Sequence, residues 1–352
     1  MTVLVNYSIF SIKCKARLLL GFSILGFLSC QDKSEPFEIK GYTMGTTYSI
    51  VYIQDQFTIG KARIQHKVDS VLNRLNQQMS TYIADSEISK FNSIKNTNTV
   101  TISSEFSEVV HRAQDVSRLS KGVFDITIMP LVRLWGFGPG IKGNHTIPSE
   151  KEIDKVKKNI GFEQLISFQN TIKKLNPEIE IDLNAIAKGF AVDCISDLLE
   201  TLKIDNYLVE VGGEIRCGGK KKDGKSWTVG IDKPELENQM DRRIETVLNV
   251  SNSAVATSGD YRNFFKIDDI IYSHVINPNT GFPVQNRVAS ATVIAPHCTE
   301  ADAWATALLV LGKKGVKMIE DLDNYEAIIF IREGNSFQKI MTSSVDEMFT
   351  NH

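Results

Sequence analysis

The segment Thr299-Glu300-Ala301-Asp302-Ala303-Trp304-Ala305-Thr306 opens a helix and sets a carboxylate and a hydroxyl four residues apart. At that spacing two side chains project from one helical face a turn apart, so Asp302 and Thr306 offer neighbouring oxygen ligands. Hard cations of the Mg2+ kind take one or two carboxylates and complete their shell with backbone carbonyls, water and substrate phosphates. The plain alternative is helix chemistry alone: an acidic residue favoured in the first turn by the dipole, and a threonine bonded back to a carbonyl.

Three further segments carry groups suited to phosphate chemistry. Asp182-Leu183-Asn184-Ala185-Ile186-Ala187-Lys188-Gly189 holds a carboxylate and an ammonium on an irregular turn before a helix. Lys188 suits a phosphate and Asp182 a ribose or base edge; an ion pair between the two at the surface is the alternative. Thr257-Ser258-Gly259-Asp260-Tyr261 supplies two hydroxyls, a glycine and a carboxylate between strands, which fits a phosphate- or ring-binding loop and ordinary turn chemistry alike. His274, one of 6 histidines, ends a strand at the turn running to Gly281. There a general base is held on a rigid element within reach of solvent, although a structural histidine fits the position as well. Gly138-Pro139-Gly140-Ile141-Lys142-Gly143 has the letters of a dinucleotide-binding loop. It follows no strand and opens no helix, so it is set aside, and no P-loop pattern occurs.

The elements that must position these groups follow from periodicity. Residues 42–53 (YTMGTTYSIVYI) read as one strand. Ile64, Val68, Val71, Leu72, Leu75 and Met79 predict a helix over 60–79, and Phe106, Val109, Val110, Ala113, Val116 and Leu119 another over 104–120, closed by Gly122. Ser149 and Glu152 form a capping-box pattern for a short helix that stops by Gly161. A helix follows Gly189, with Phe190, Cys194, Ile195, Leu198, Leu199 and Leu202 inside. From 207 to 295 short β-rich runs separated by Gly, Asn, Asp and Pro predict antiparallel sheet, and a helix over 299–311 and a strand over 325–332 finish the fold. Strands and helices segregate rather than alternate, which predicts an α+β fold of mixed, largely antiparallel sheets with flanking helices.

Composition narrows the class. Over 352 residues, 42% are hydrophobic and 23% charged, as in a folded globular chain. Lys+Arg 40 against Asp+Glu 42 gives a net charge of -2, so no global basic field exists to hold nucleic acid. The first thirty residues stand apart. Lys13, Lys15 and Arg17 precede the apolar run Leu18 to Leu28, which is too short to cross a bilayer, and Ser29-Cys30 follows. This is a secretory pattern, and the small residue before Cys30 resembles a bacterial lipoprotein signal, with Phe27 where Leu is usual. The expectation is a signal peptide over 1–29, lipidation of Cys30, a tether over 30–40, a folded domain over 41–335 and a tail over 336–352. The remaining Cys194, Cys217 and Cys298 are odd in number and lack C-x-x-C spacing, so neither a zinc site nor a disulfide is predicted.

Read together and in order, these segments resemble the ApbE family, the FAD:protein FMN transferases. The matching blocks are Gly41 to Tyr48, Met79 to Tyr82 with Asp85 to Asn92, Gly122 to Thr127 running on to Gly138, and Asp182 to Gly189. Then come Val211 to Arg216, Ala256 to Tyr261, Ser273 to Gly281, and Ala301 to Thr306 before Leu311-Gly312. Asn184 and Met129 depart mildly from the family pattern.

The resemblance implies an ApbE-like fold with its ligand site between two subdomains. It implies Mg2+, or Mn2+, held by Asp302, Thr306 and the carbonyls of Ala305 and Ala185. FAD as substrate would be gripped by Met44, Tyr82, Val123, Phe124, Asp125, Asp182, Lys188 and Ile276, with Thr257, Ser258, Gly259 and Asp260 close by. The implied reaction transfers FMN from FAD to a Thr or Ser hydroxyl of an exported or membrane redox protein, with release of AMP. His274 is the first candidate for taking the hydroxyl proton and Asp260 the second. An FAD diphosphatase giving FMN and AMP, and a flavin-binding lipoprotein without catalysis, are the alternatives. The expected place is the bacterial cell envelope, anchored by lipid to the periplasmic side of the inner membrane.

Overall fold

The computed structural model describes residues 36–54, 59–140, 146–234, 244–259, 264–268, 270–334 and 336–349. Eight strands form the main sheet: β1 (Phe37–Thr43), β2 (Thr46–Ile53), β3 (Asn206–Val211), β4 (Glu214–Gly218), β5 (Ser253–Gly259), β6 (Val288–Ala295), β7 (Glu326–Glu333) and β8 (Ser336–Met341). They lie side by side in this order, and each pairs antiparallel with the next. The chain thus meanders across the sheet and makes its excursions between neighbouring strands, as the segregated pattern predicts.

The sheet is covered on both faces. Four long helices, α1 (Lys61–Met79), α2 (Ser104–Leu119), α3 (Ala187–Thr201) and α4 (Cys298–Leu311), bury their apolar sides with one face of the sheet. In α1 the buried Ile64, Val68, Leu72, Leu75 and Met79 recur at helical spacing. On the other face a hairpin of 227–232 and 244–250 packs Trp227, Val229, Ile231 and Leu248 against Val255, Ile294, Ile328 and Phe330. This double cover explains why β6, VASATVIA, is buried along its whole length instead of alternating. Burying each such aliphatic side chain is worth roughly 1.5–3 kcal/mol.

Several expectations shift. The single strand over 42–53 is a hairpin, because Met44 (φ 49) and Gly45 (φ 72) both enter the left-handed region and turn the chain between β1 and β2. The folded region begins at Phe37, inside the expected tether. The segment expected as a tail supplies β8 and a helical turn whose Val345 is buried beneath the second hairpin. The capping box stands as read: Ser149 Oγ accepts from the Glu152 amide and the Glu152 carboxylate accepts from the Ser149 amide. Among the described residues no helix is long and apolar enough to cross a membrane. Cys194, Cys217 and Cys298 are free thiols, and burial pushes Cys194 and Cys217 up to about 12. Cys30 and residues 141–143 of the glycine-rich segment lie outside the described residues.

Candidate active site

A cleft of about 300 Å3 opens where the ends of α3 and α4 meet β5 and the segments around Phe124, Asp182 and His274. Its inner wall is built by close helix contact. A Cβ on Gly189 would stand 2.2 Å from the Cys298 carbonyl oxygen and 2.8 Å from Asp302 Cβ, so only glycine lets α3 and α4 cross at this point. The same residue donates its amide to Asp302 Oδ2 at 3.0 Å. In a regular helix that amide would bond four residues back, to Ala185, which also lines the cleft. One glycine thus fixes the carboxylate and frees the Ala185 carbonyl for another partner.

Lys188 reaches into this wall. Its Nζ lies 2.9 Å from Glu214 Oε1 and 3.6 Å from Asp302 Oδ1, with both carboxylates 2% exposed. Burial works against its charge, but the two carboxylates outweigh that and hold its pKa above the ordinary lysine value. The ion pair between Asp182 and Lys188 considered from sequence is replaced by these contacts. On the same wall Thr306 Oγ1 and Ser258 Oγ share a hydrogen bond of 3.2 Å, and Thr257 Oγ1 bonds Thr292 Oγ1 across the sheet at 2.8 Å. The donor set of a buried carboxylate, two hydroxyls and a carbonyl is the hard-oxygen chemistry that suits Mg2+ or Mn2+. Among the described residues no group of three or more His, Cys, Asp or Glu could hold a metal.

Another part of the lining is apolar and carries the histidine. A short hairpin, 264–267 with 270–273, ends directly before His274. The His274 ring meets Phe137 edge-on with centroids 6.4 Å apart; Phe137 in turn meets Phe265 at a tilt, and Phe265, Tyr272 and Trp135 stack in sequence. Trp135 Nε1 donates to the Gly281 carbonyl at 2.8 Å and so ties down the turn beyond Ile276. Phe124 and Val123 also line the cleft, as does Tyr82, which is 68% exposed.

The two remaining aspartates of the cleft are engaged at home. Asp125 Oδ1 accepts from the Thr127 amide and hydroxyl, and Oδ2 from the Phe162 amide at 2.9 Å. Burial nevertheless raises its pKa above the ordinary value. Asp182 accepts from the Asn184 amide at 2.8 Å and is likewise raised by burial. Both carboxylates therefore shape the loops that line the cleft.

Of the residues expected from sequence, Tyr82, Val123, Phe124, Asp125, Asp182, Ala185, Lys188, Thr257, Ser258, Gly259, His274, Ile276, Asp302 and Thr306 line this one cleft. Ala305 is fully buried in α4 and Met44 sits in the β1–β2 turn, half-buried against the core; neither is on the cleft wall. The Met44 turn still adjoins the Lys188 end, since Thr46 and Lys188 both crowd Gly212. Asp260 lies outside the described residues. Sequence reasoning gave no role to Glu214. The signal was available in the Gly212-Gly213 turn before it, both residues at positive φ, which tucks a carboxylate inward at the start of β4.

Known proteins resemble this chain along most of its length. The sequence profile of the ApbE family matches residues 44–329. The FAD:protein FMN transferase of Vibrio cholerae is 38% identical over 322 residues, covering 92% of this chain and 95% of the relative. That of Haemophilus influenzae is 36% identical over 319 residues, covering 89% and 91%. Among solved structures, the flavin transferase ApbE of Vibrio cholerae superposes with a TM-score of 0.81 at 37% identity, covering 90% of this chain and 99% of that one. The Pseudomonas stutzeri flavinyl transferase ApbE, in its apo form, gives 0.82 at 33% identity, covering 90% and 97%.

Proposed function

This chain belongs to the ApbE family, and on that premise we infer that it is an FAD:protein FMN transferase. The single observation that supports the reading most is that Lys188, Asp302, Thr306, Ser258 and His274 line one cleft, the first two as an ion pair and the next two hydrogen-bonded to each other. A diphosphate needs positive charge and donors along its oxygens, and an attacking hydroxyl needs a proton acceptor.

In this reading FAD lies along the cleft with its flavin ring against Phe124, Val123 and Tyr82. Lys188 faces the diphosphate, and its charge is retained because Glu214 and Asp302 hold it. Asp302, Thr306 and the Ala185 carbonyl would hold Mg2+ or Mn2+, which supplies charge neutralisation at the diphosphate. A Thr or Ser hydroxyl of the acceptor protein attacks the FMN-side phosphorus and hands its proton to His274. The bond to the bridging oxygen breaks, AMP leaves with that oxygen, and FMN stays on the acceptor as a phosphoester. The acceptor is a redox protein that presents a Thr or Ser to this cleft.

The test mixes the protein with FAD, Mg2+ and a purified acceptor domain, and measures AMP release together with flavin retained on the acceptor after denaturation. Covalent flavin in proportion to AMP is expected. AMP release with no flavin on any acceptor would make the protein an FAD diphosphatase, and neither product would leave a flavin binder.

We further propose export and lipid anchoring through Cys30, supported by the basic, apolar and small-residue order of residues 13–30. A lipoprotein cysteine carries several acyl chains, which hold a membrane where a single chain does not. Cys30→Ser should release the protein from the membrane fraction or leave it as an unprocessed precursor. Normal processing and unchanged sedimentation with membranes would overturn the anchor.

A further inference from the structure

The cleft sits at one end of the main sheet, and the chain enters at the other. β4 runs from Glu214, in the cleft, to Gly218, and β5 runs back from Ser253, next to Cys217, to Ser258 and Gly259, again in the cleft. At the far end Phe37 pairs with Tyr52, Tyr52 with Tyr207 and Tyr207 with Gly218, so one row of partners joins the first residue of β1 to the last of β4. With strands about 4.8 Å apart, Gly218 lies roughly 15 Å from Phe37.

This end is basic. The turn after Gly218 reads Gly219-Lys220-Lys221-Lys222-Asp223-Gly224-Lys225, and Lys203 and Asp205 stand in the turn before β3. The two turns touch, because a Cβ on Gly219 would come within 2.7 Å of the Asp205 carbonyl oxygen. Lys203, Lys220, Lys222 and Lys225 are exposed and Lys221 is half-buried. The longer turn is held in place by its backbone: the Gly219 amide donates to Asn252 Oδ1 and the Lys220 amide to Asn206 Oδ1, both at 2.8 Å, while the Lys221 amide donates to the Lys225 carbonyl at 2.8 Å. Trp227 Nε1 pins its start through the Gly218 carbonyl at 2.8 Å. Lysines gathered on a turn fixed in this way repel one another and suit an anionic partner.

The length of the leader says which partner. Seven residue steps separate Cys30 from Phe37, at most about 25 Å when fully extended. We propose that this end of the sheet docks on an anionic phospholipid surface, with the five lysines against the headgroups and the cleft turned away from the bilayer. The inference rests on the lipid-anchor reading. An acyl anchor so close keeps the basic turn at high local concentration over the headgroups, so a modest attraction per lysine is enough to orient the protein. The cleft stands about 20 Å further out, six residue steps along β5. That exceeds the Debye length of about 8 Å at physiological salt, so the lipid charge does not oppose FAD, and an acceptor protein reaches the cleft from the aqueous side.

The test reconstitutes the mature acylated protein in vesicles of phosphatidylglycerol or of phosphatidylcholine, each carrying an energy-acceptor dye on its headgroups. A donor dye is placed on Asp205→Cys, at the basic end, or on Tyr42→Cys, 87% exposed near the other end of β1. In phosphatidylglycerol, transfer should be clearly stronger from position 205 than from position 42. The difference should largely vanish in phosphatidylcholine, in high salt, and in a protein that also carries Lys220→Gln, Lys221→Gln and Lys222→Gln, whose FMN transfer to a soluble acceptor should match the parent. Equal transfer from both positions in phosphatidylglycerol, or a difference that survives neutral lipid or the glutamine substitutions, would overturn the proposal. Failure of the anchor reading looks different: the N-terminal peptide then carries no acyl mass on Cys30, which is seen before any dye is read.

Discussion

On the helix wall of the cleft, Asp193 caps α4 through the amides of Cys298 and Thr299 at 3.0 and 2.9 Å and is tied to the sheet by Arg216 at 3.1 Å, while Gly189 clamps Asp302. On the hairpin wall, among the described residues, two four-residue strands pair only with each other, and His274 meets Phe137 edge-on at the end of a run of aromatic rings 5.2 to 5.7 Å apart. The first wall is fixed by directional, charge-assisted hydrogen bonds between buried groups; the second is built mostly on aromatic contact, with the Trp135–Gly281 hydrogen bond tying its turn. A two-stranded hairpin is marginal alone and depends on what it packs against. The comparison assigns precise placement to the groups that handle the diphosphate and tolerance to the group that takes the proton.

Breaking the helix wall should have the largest effect. Asp302→Asn keeps an oxygen for the Gly189 amide but removes the charge. Transfer should therefore fall by roughly 10³-fold, since charge stabilisation at the metal is worth several kcal/mol, while thermal unfolding changes little. Asparagine is the better choice because Asp302 is buried and hydrogen-bonded, so Asp302→Ala would also unseat Gly189. Transfer within tenfold of the parent would contradict the assignment. Gly189→Ala comes next. Its Cβ meets backbone at 2.2 Å, so α3 and α4 must separate at a cost of about 1–3 kcal/mol, and transfer should drop about 10²-fold through misplacement of Asp302. A variant with parental stability and rate would show that the crossing does not set the site.

The hairpin wall should yield more gently. Phe265→Leu removes one aromatic partner of Phe137 and Tyr272, worth about 0.5–1.5 kcal/mol, and should lower transfer less than tenfold. A larger loss than that of Gly189→Ala would reverse the comparison.

Local rules made much of this legible. The i, i+4 spacing of Asp302 and Thr306 put both on one wall, the apolar periods of α1 and α2 marked buried faces, and Ser149 with Glu152 marked a helix start. The misses have non-local causes. Met44 is no usual turn former, so a strand pattern ran unbroken through the β1–β2 turn. β8 is recognisable only through its pairing with β7, because its own residues are mostly half-buried and mixed in character. Glu214 acquires meaning only when α3 delivers Lys188 to it across the chain.

The division of labour between the walls is tested most directly by His274→Ala, with FAD affinity and single-turnover transfer measured on the same preparation. The account predicts FAD affinity within a few-fold of the parent and transfer lowered by about 10²–10⁴-fold, the usual range for losing a general base. Loss of FAD binding in step with the rate, or transfer at the parental rate, would contradict it.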